Sequence, residues 1–265
     1  SLKEIDLTNL DTSKVTNMGN MFSSSKSLKE INLSALDTSK VMDMGDMFSD
    51  CEKLESIIFG NINTSNVLDM SQMFMNCISL KELDLSKFDT ENVTGMHGMF
   101  NGCTSFTTLD LSSFDTSNVS GTGAMFFNCE KLEEVNLSSF DTSNVYNMSF
   151  MFYHCSSLKE LDLSNFDTKN VTSLSFMFSG CKALKELNIN HFDVSNVTDI
   201  EETFANMKMD KIDLSNWVAP KLKNVYTMFV HSEFREINIS NLDFSNLKAE
   251  SSMGFLDGWE SVFYN

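Results

Sequence analysis

Residues Leu80 to Cys103 read LKELDLSKFDTENVTGMHGMFNGC, and nearly every other segment of the chain is a copy of that stretch. The valine that follows its Asn returns at Val15, Val41, Val67, Val93, Val119, Val145, Val171 and Val197, 26 residues apart each time. The Met-Phe pair keeps the same register from Met21-Phe22 to Met177-Phe178 and continues as Thr203-Phe204 and Met228-Phe229. One residue is lost after Phe204, so Trp217 stands where Phe192 stood in the copy before. Ten leucine segments begin at Leu2, Leu28, Leu54, Leu80, Phe106, Leu132, Leu158, Leu184, Met209 and Phe234. Self-similarity at such a period marks a solenoid, in which each repeat is one turn, or rung, of a coil.

Within one repeat the apolar pattern changes period. In Leu80–Leu85, Leu83 and Leu85 alternate with Glu82 and Asp84, which predicts a half-buried strand. Stacked rung on rung, such strands form a parallel sheet, and the rest of each repeat is the crossover that parallel pairing requires. In FDTSNV, as in Phe114–Val119, the Phe and Val point inward. The Asp, Thr, Ser and Asn between them are residues that bond their own backbone in turns, and the valine sits in a second, very short strand. Met70, Met73, Phe74 and Cys77 fall at i, i+3, i+4 and i+7, one face of a helix, which predicts about two turns of α- or 3₁₀-helix. Strands stack ~4.8 Å apart and packed helices ~8–10 Å apart, so such a coil curves with its strands concave. The reading is an α/β repeat solenoid over residues 1–246, followed by a cap or the start of a new segment at 247–265. There Phe255, Trp259, Phe263 and Tyr264 are placed to close the core. The chain opens at a leucine segment with no cap before it, and so reads as a piece of a longer protein.

The net charge is −18, from 37 acidic and 19 basic residues, which argues against nucleic acid and anionic membrane surfaces as partners. No apolar run is long enough to insert into a membrane.

The run LxxLDLSxFDTSNVTxMxxMFxxC, clearest at Val119–Cys129, Val145–Cys155 and Val171–Cys181, resembles the repeat of the BspA-like leucine-rich repeat surface proteins, also known as the domain of unknown function 285. The likeness extends from residue 2 to about residue 250; the first repeat departs from it with Ser25 in place of Cys, and the last two lack the Cys. It implies a right-handed leucine-rich-repeat coil. It also implies an extracellular protein anchored on a bacterial surface through a part outside this sequence, with roles in adhesion and host interaction. It carries no catalytic residues across.

Cys51, Cys77, Cys103, Cys129, Cys155 and Cys181 form one column. No C-x₂-C cluster suggests a metal. A disulfide needs Cα atoms roughly 4.4–6.8 Å apart, closer than neighbours on a wide helical side. A buried ladder of free thiols is therefore expected, with neighbour-to-neighbour disulfides and a redox or metal role as the alternatives. Glu82, Glu134 and Glu160 share one strand column and Asp84, Asp110 and Asp162 the next, together an acidic strand face. That face reads as solvated surface, or as a site for a cationic partner or loosely held Ca²⁺. A further column, Asp11, Asp37, Asp89, Asp115, Asp141, Asp167 and Asp193, reads as turn acceptors at the corner of the coil. On the segment read as helical, outward positions carry Ser, Gly, Asn or Asp in most copies. Copies five to seven instead carry Phe127, Phe150, Tyr153, His154 and Phe176, with Tyr146 close by. Aromatics gathered on adjacent rungs are a candidate partner patch, against the plainer reading of rings lying over neighbouring rungs.

The four histidines, His97, His154, His191 and His231, fall at different repeat positions, so no Ser/His/Asp or Cys/His constellation follows. These observations describe a non-enzymatic binding module without cofactors, whose partner is a host or extracellular protein or glycan. The alternative is a structural spacer that projects another domain from the cell surface.

Overall fold

The structure, a computed structural model, describes residues 2–245 and 247. Its strands are β1 (Glu30–Asn32), β2 (Ser56–Ile58), β3 (Thr108–Asp110), β4 (Glu134–Asn136), β5 (Lys208–Asp213) and β6 (Glu233–Asn238). They pair in parallel as β1–β2, β3–β4 and β5–β6, and the register steps one repeat: Leu109 faces Val135 and Met209 faces Phe234. The fold is a repeat solenoid of the leucine-rich-repeat kind.

One strand per repeat in a continuous sheet was the sequence expectation; among the described residues the strands come in three separate pairs. The unbroken ladder lies two residues past the valine. There, parallel bridges link Asn17, Asp43, Asp69, Gly95, Gly121, Asn147, Ser173, Asp199 and Asn224 in sequence. Because this column already fixes the stacking of the rungs, the leucine segments need not all pair.

The expected helical turns do not form; no helix occurs among the described residues. In Met70–Cys77 the N–H groups of Met73, Met75 and Cys77 bond three residues back, at 3.0–3.2 Å. Those of Met70, Gln72, Phe74 and Asn76 leave the rung for carbonyls of Gly95, His97, Met99 and Asn101 on the next, at 2.7–3.0 Å. The cause lies in Gln72 and Asn76, held at φ 55° and 56°. Left-handed residues at every fourth position forbid a right-handed helix and turn alternate amides outward. The inward face is nonetheless the one the spacing marked, for Met70, Met73, Phe74 and Cys77 are fully buried.

Without helices the cause of the expected curvature is gone, since this side of the coil is hydrogen-bonded rung to rung like the other. The core shows the same close repeat. Phe22, Phe48, Phe74, Phe100, Phe126, Phe152, Phe178, Phe204 and Phe229 stack with neighbouring centroids 5.4–6.0 Å apart and planes within 18°. Each such pair adds about 0.5–1.5 kcal/mol beyond the burial of its area.

The corner of the coil uses its polar residues in two ways. Asp115 accepts the N–H of Ser117 at 2.9 Å, closing a turn within its own rung, as expected. Thr116, read as another turn residue, is instead buried and works between rungs. Its hydroxyl accepts the N–H of Asp141 at 2.8 Å and donates to the carbonyl of the same residue at 2.9 Å. Thr64, Thr90 and Thr142 repeat this double bond to the rung that follows. Asn118 reaches the other way, donating to the Glu91 carbonyl at 2.8 Å. The aromatics Phe255, Trp259, Phe263 and Tyr264, expected to cap the core, lie outside the described residues.

Candidate functional site

Two columns on the turn-rich side hold left-handed backbone. The first contains Asn20, Asp46, Gln72, Gly98, Ala124, Phe150, Phe176, Glu202 and Thr227. The second contains Ser24, Asp50, Asn76, Gly102, Asn128, His154, Gly180, Asn206 and His231. Asn, Asp and Gly are the residues that enter this region most easily. Phe150 at φ 61° and Phe176 at φ 60° are departures, because a bulky L-residue there is strained.

These strained positions carry the ring ridge. Phe150 stacks on Phe176 with centroids 4.6 Å apart, and Phe127 stacks on Tyr153 at 4.8 Å. Tyr153 meets Phe150 edge-on at 5.7 Å and lies parallel to His154 at 4.2 Å. Five of the six expected residues thus form one cluster, each half-buried by its neighbours. Tyr146 does not join it. It is 55% exposed and makes no ring contact with the five. Gly180, which the sequence reading passed over, makes room for the end of the ridge. A Cβ on it would stand 2.4 Å from Cδ2 of His154, and its φ is +81°.

The acidic strand face divides by role. Asp84, Asp110 and Asp162 accept the N–H groups of Ser86, Ser112 and Ser164 at 2.9–3.0 Å, so these carboxylates are committed to the turns that follow the leucine segments. The Ser86 hydroxyl and then its N–H hold Asp84 below the usual carboxylate value. At Asp110 and Asp162 the N–H and then the hydroxyl of the following Ser do the same. Glu82, Glu134 and Glu160 stand exposed beside them. Exposed ion pairs lie on the same face, Lys29 with Glu55 at 3.3 Å, and Lys159 with Glu133. Among the described residues, no three His, Cys, Asp or Glu side chains converge as metal ligands would.

All six cysteines are free and buried. Each thiol donates to a core-Phe carbonyl of the neighbouring rung, as Cys103 does to Phe74 at 3.0 Å and Cys129 to Phe100 at 3.2 Å. The wide spacing invoked against disulfides is absent, because the rungs on this side are directly hydrogen-bonded. Burial pushes Cys51 up to about 11, and Cys129 and Cys181 up to about 12. The column therefore supplies no thiolate near neutral pH, and a thiol without its thiolate is neither nucleophile nor ligand.

Comparison with known proteins follows the same line. The family described as "Mycoplasma protein of unknown function, DUF285" matches residues 1–83, 56–162 and 154–257. No curated protein matches the chain. Among solved structures, a leucine-rich repeat protein from Bacteroides ovatus is similar at 19% identity and a TM-score of 0.47, over 88% of this chain and 69% of that one. A leucine rich cell surface protein from Faecalibacterium prausnitzii is similar at 15% identity and a TM-score of 0.40, over 86% and 66%.

Proposed function

The chain belongs to the DUF285 family, and from that premise we propose that it is a non-enzymatic binding module displayed on a bacterial cell surface, which holds an extracellular or host partner through its ring ridge. The observation that carries this reading is the backbone strain at Phe150 and Phe176. A left-handed L-residue costs roughly 1–2 kcal/mol; the equivalent positions hold Asn20, Asp46 and Gly98, which reduce this cost, and Gln72, Ala124, Glu202 and Thr227, which do not, so Phe150 and Phe176 stand out as the aromatic residues of the column. Aromatic side chains at such positions offer rigid contact area, the usual source of hot-spot affinity. The repeat scaffold supplies an extended face on which neighbouring rungs can differ.

The test is a double variant, Phe150→Asn with Phe176→Asn, which installs the residue type found at Asn20. Wild type and variant are compared for binding to immobilised fibronectin, fibrinogen, collagen and mucin. Loss of binding with stability kept or raised supports the ridge. Binding that persists moves the function to the exposed Glu82, Glu134 and Glu160. Absence of binding by either protein favours the spacer.

A further inference from the structure

Beside the ridge, the bridge column changes character. Its side chains elsewhere lie along the surface and tie rungs together: Asn17 Nδ2 donates to Asp43 at 2.8 Å, and Asn224 Nδ2 to Glu201 at 2.8 Å. Two successive rungs carry Gly95 and Gly121 instead. A Cβ placed on Gly121 would meet nothing within 4 Å. At Gly95 the space is filled, a Cβ there standing 2.6 Å from Asp69 Oδ1, so the opening is at Gly121, in a groove of about 670 Å³, within the range of small-ligand sites.

The groove's lining is specific in chemistry. Tyr146 and Phe150 supply aromatic surface, which accounts for an exposed Tyr146 outside the ring cluster. Ser149, Ser173 and Ser175 form a closed ring of hydroxyls, with Oγ–Oγ distances of 2.7, 3.0 and 3.0 Å. In such a ring each hydroxyl gives one proton and accepts one; Ser173 Oγ also accepts the Ser175 N–H at 3.3 Å, so Ser149 and Ser175 each keep a spare lone pair. Asn147 Oδ1 accepts the Ser149 N–H at 2.8 Å, which leaves its NH₂ as a donor. On the preceding rung it faces Gly121, which has no side chain to engage it. Asp199 adds a carboxylate, and no Lys or Arg lines the groove.

We propose that this groove binds a neutral oligosaccharide. A sugar ring has an apolar C–H face to lie on Tyr146 and Phe150, hydroxyl protons for the spare lone pairs of Ser149 and Ser175, and oxygens for the Asn147 amide. A phosphorylated or sulfated ligand finds no Lys or Arg there, His97 being the one basic side chain in the lining, and meets the Asp199 carboxylate and a chain of net charge −18. The inference rests on the reading of the chain as a binding module, but not on the ridge as its protein-binding surface.

The test titrates the whole chain with cellohexaose, chitohexaose and a heparin hexasaccharide, followed by calorimetry and by ligand-observed NMR. Binding of at least one neutral hexamer is expected, with none of the heparin fragment. Gly121→Asn rebuilds the column into open space, and Tyr146→Ser removes the aromatic wall. Each should weaken binding by about tenfold or more, the scale of one or two lost contacts. Tyr153→Ser, which breaks the ridge outside the groove, should leave sugar binding unchanged while reducing any capture of matrix protein. The proposal is overturned if neither neutral hexamer binds at about 10 mM, a concentration that detects even the weakest specific sites. It is equally overturned if binding survives both groove variants, or if only the heparin fragment binds.

Discussion

Thr116→Val and Thr122→Val make the same chemical change on one rung and should have opposite effects. At Thr116 the substitution removes two hydrogen bonds, of 2.8 and 2.9 Å, to the backbone of Asp141. A hydrogen bond contributes roughly 1 kcal/mol net, and a donor left without a partner costs about 1–3 kcal/mol. The added methyl group returns about 0.8 kcal/mol. The partial exposure of Asp141 lets water recover some of the loss, so a destabilisation of about 2 kcal/mol is expected. Thr122 is fully buried in the slot that Met96 and Met148 occupy on the flanking rungs, and its hydroxyl has no partner. Replacing that orphan by a methyl group should stabilise the protein by about 1–2 kcal/mol. Urea unfolding at pH 7 reads both shifts as changes in midpoint at constant slope. Thr116→Ser, which keeps the hydroxyl, should lose less than Thr116→Val. A neutral Thr116→Val would show that the hydroxyl column does not join the rungs, and a destabilising Thr122→Val would show that the Thr122 hydroxyl is not an orphan.

Other outcomes follow from the same packing. Leu109→Ala, at a position 5% exposed, should cost roughly 2–5 kcal/mol as a core cavity; calorimetry or denaturation checks it. Thiol reagent at pH 8 should find almost no reactive cysteine in the native protein and all six after denaturation; six fast thiols in the native state would refute the buried column. The corner carboxylates Asp11, Asp37, Asp115 and Asp193 are depressed first by the hydroxyl and then by the N–H of the following Ser, so their contribution is complete above the unfolded value of 3.8 and is lost as pH falls through their lower folded values. Asp46 has the opposite sign: burial, and then the charges of Asp69 and Asp43, raise it above 3.8, so it opposes folding at neutral pH. Asp46→Asn should therefore raise the unfolding midpoint at pH 7, and the gain should vanish below pH 3.8, where the acid is protonated in both states.

The period of 26 made the stacking legible, and the burial of Val93, Met99, Phe100 and Cys103 follows from it directly. The backbone of the Met-Phe segment was not legible from its apolar spacing, because a helix and a run of linked turns can bury the same residues. The discriminating signal lay in the outward positions. Gly98, Gly102 and Gly180, with Asn and Asp in the same columns, are what a left-handed backbone selects. The five rings come together because their positions fall on adjacent rungs. Tyr146, expected close by, is exposed and makes no ring contact with them. The inter-rung duty of Thr116 was hidden for a different reason. Its partner Asp141 is a whole repeat away, and a lone threonine reads as a turn residue unless its column is compared with serine. The groove has the faintest signature, two glycines in a column of Asn, Asp and Ser.

The rung-to-rung bonding of alternate amides has a mechanical consequence. Each rung is held to the next by a repeating set of backbone bonds, by side-chain bonds such as those of Thr116 and Cys103, and by the stacked core rings, and no helix crosses several rungs to share a load among the described residues. Tension applied between the ends would be borne by each junction in series, so the chain would yield a rung at a time. Each event frees 26 residues, roughly 90 Å of slack at about 3.4 Å per residue. A solenoid built this way lengthens in even steps under tension and recovers by restacking, so that a load at its end feels a nearly constant pull.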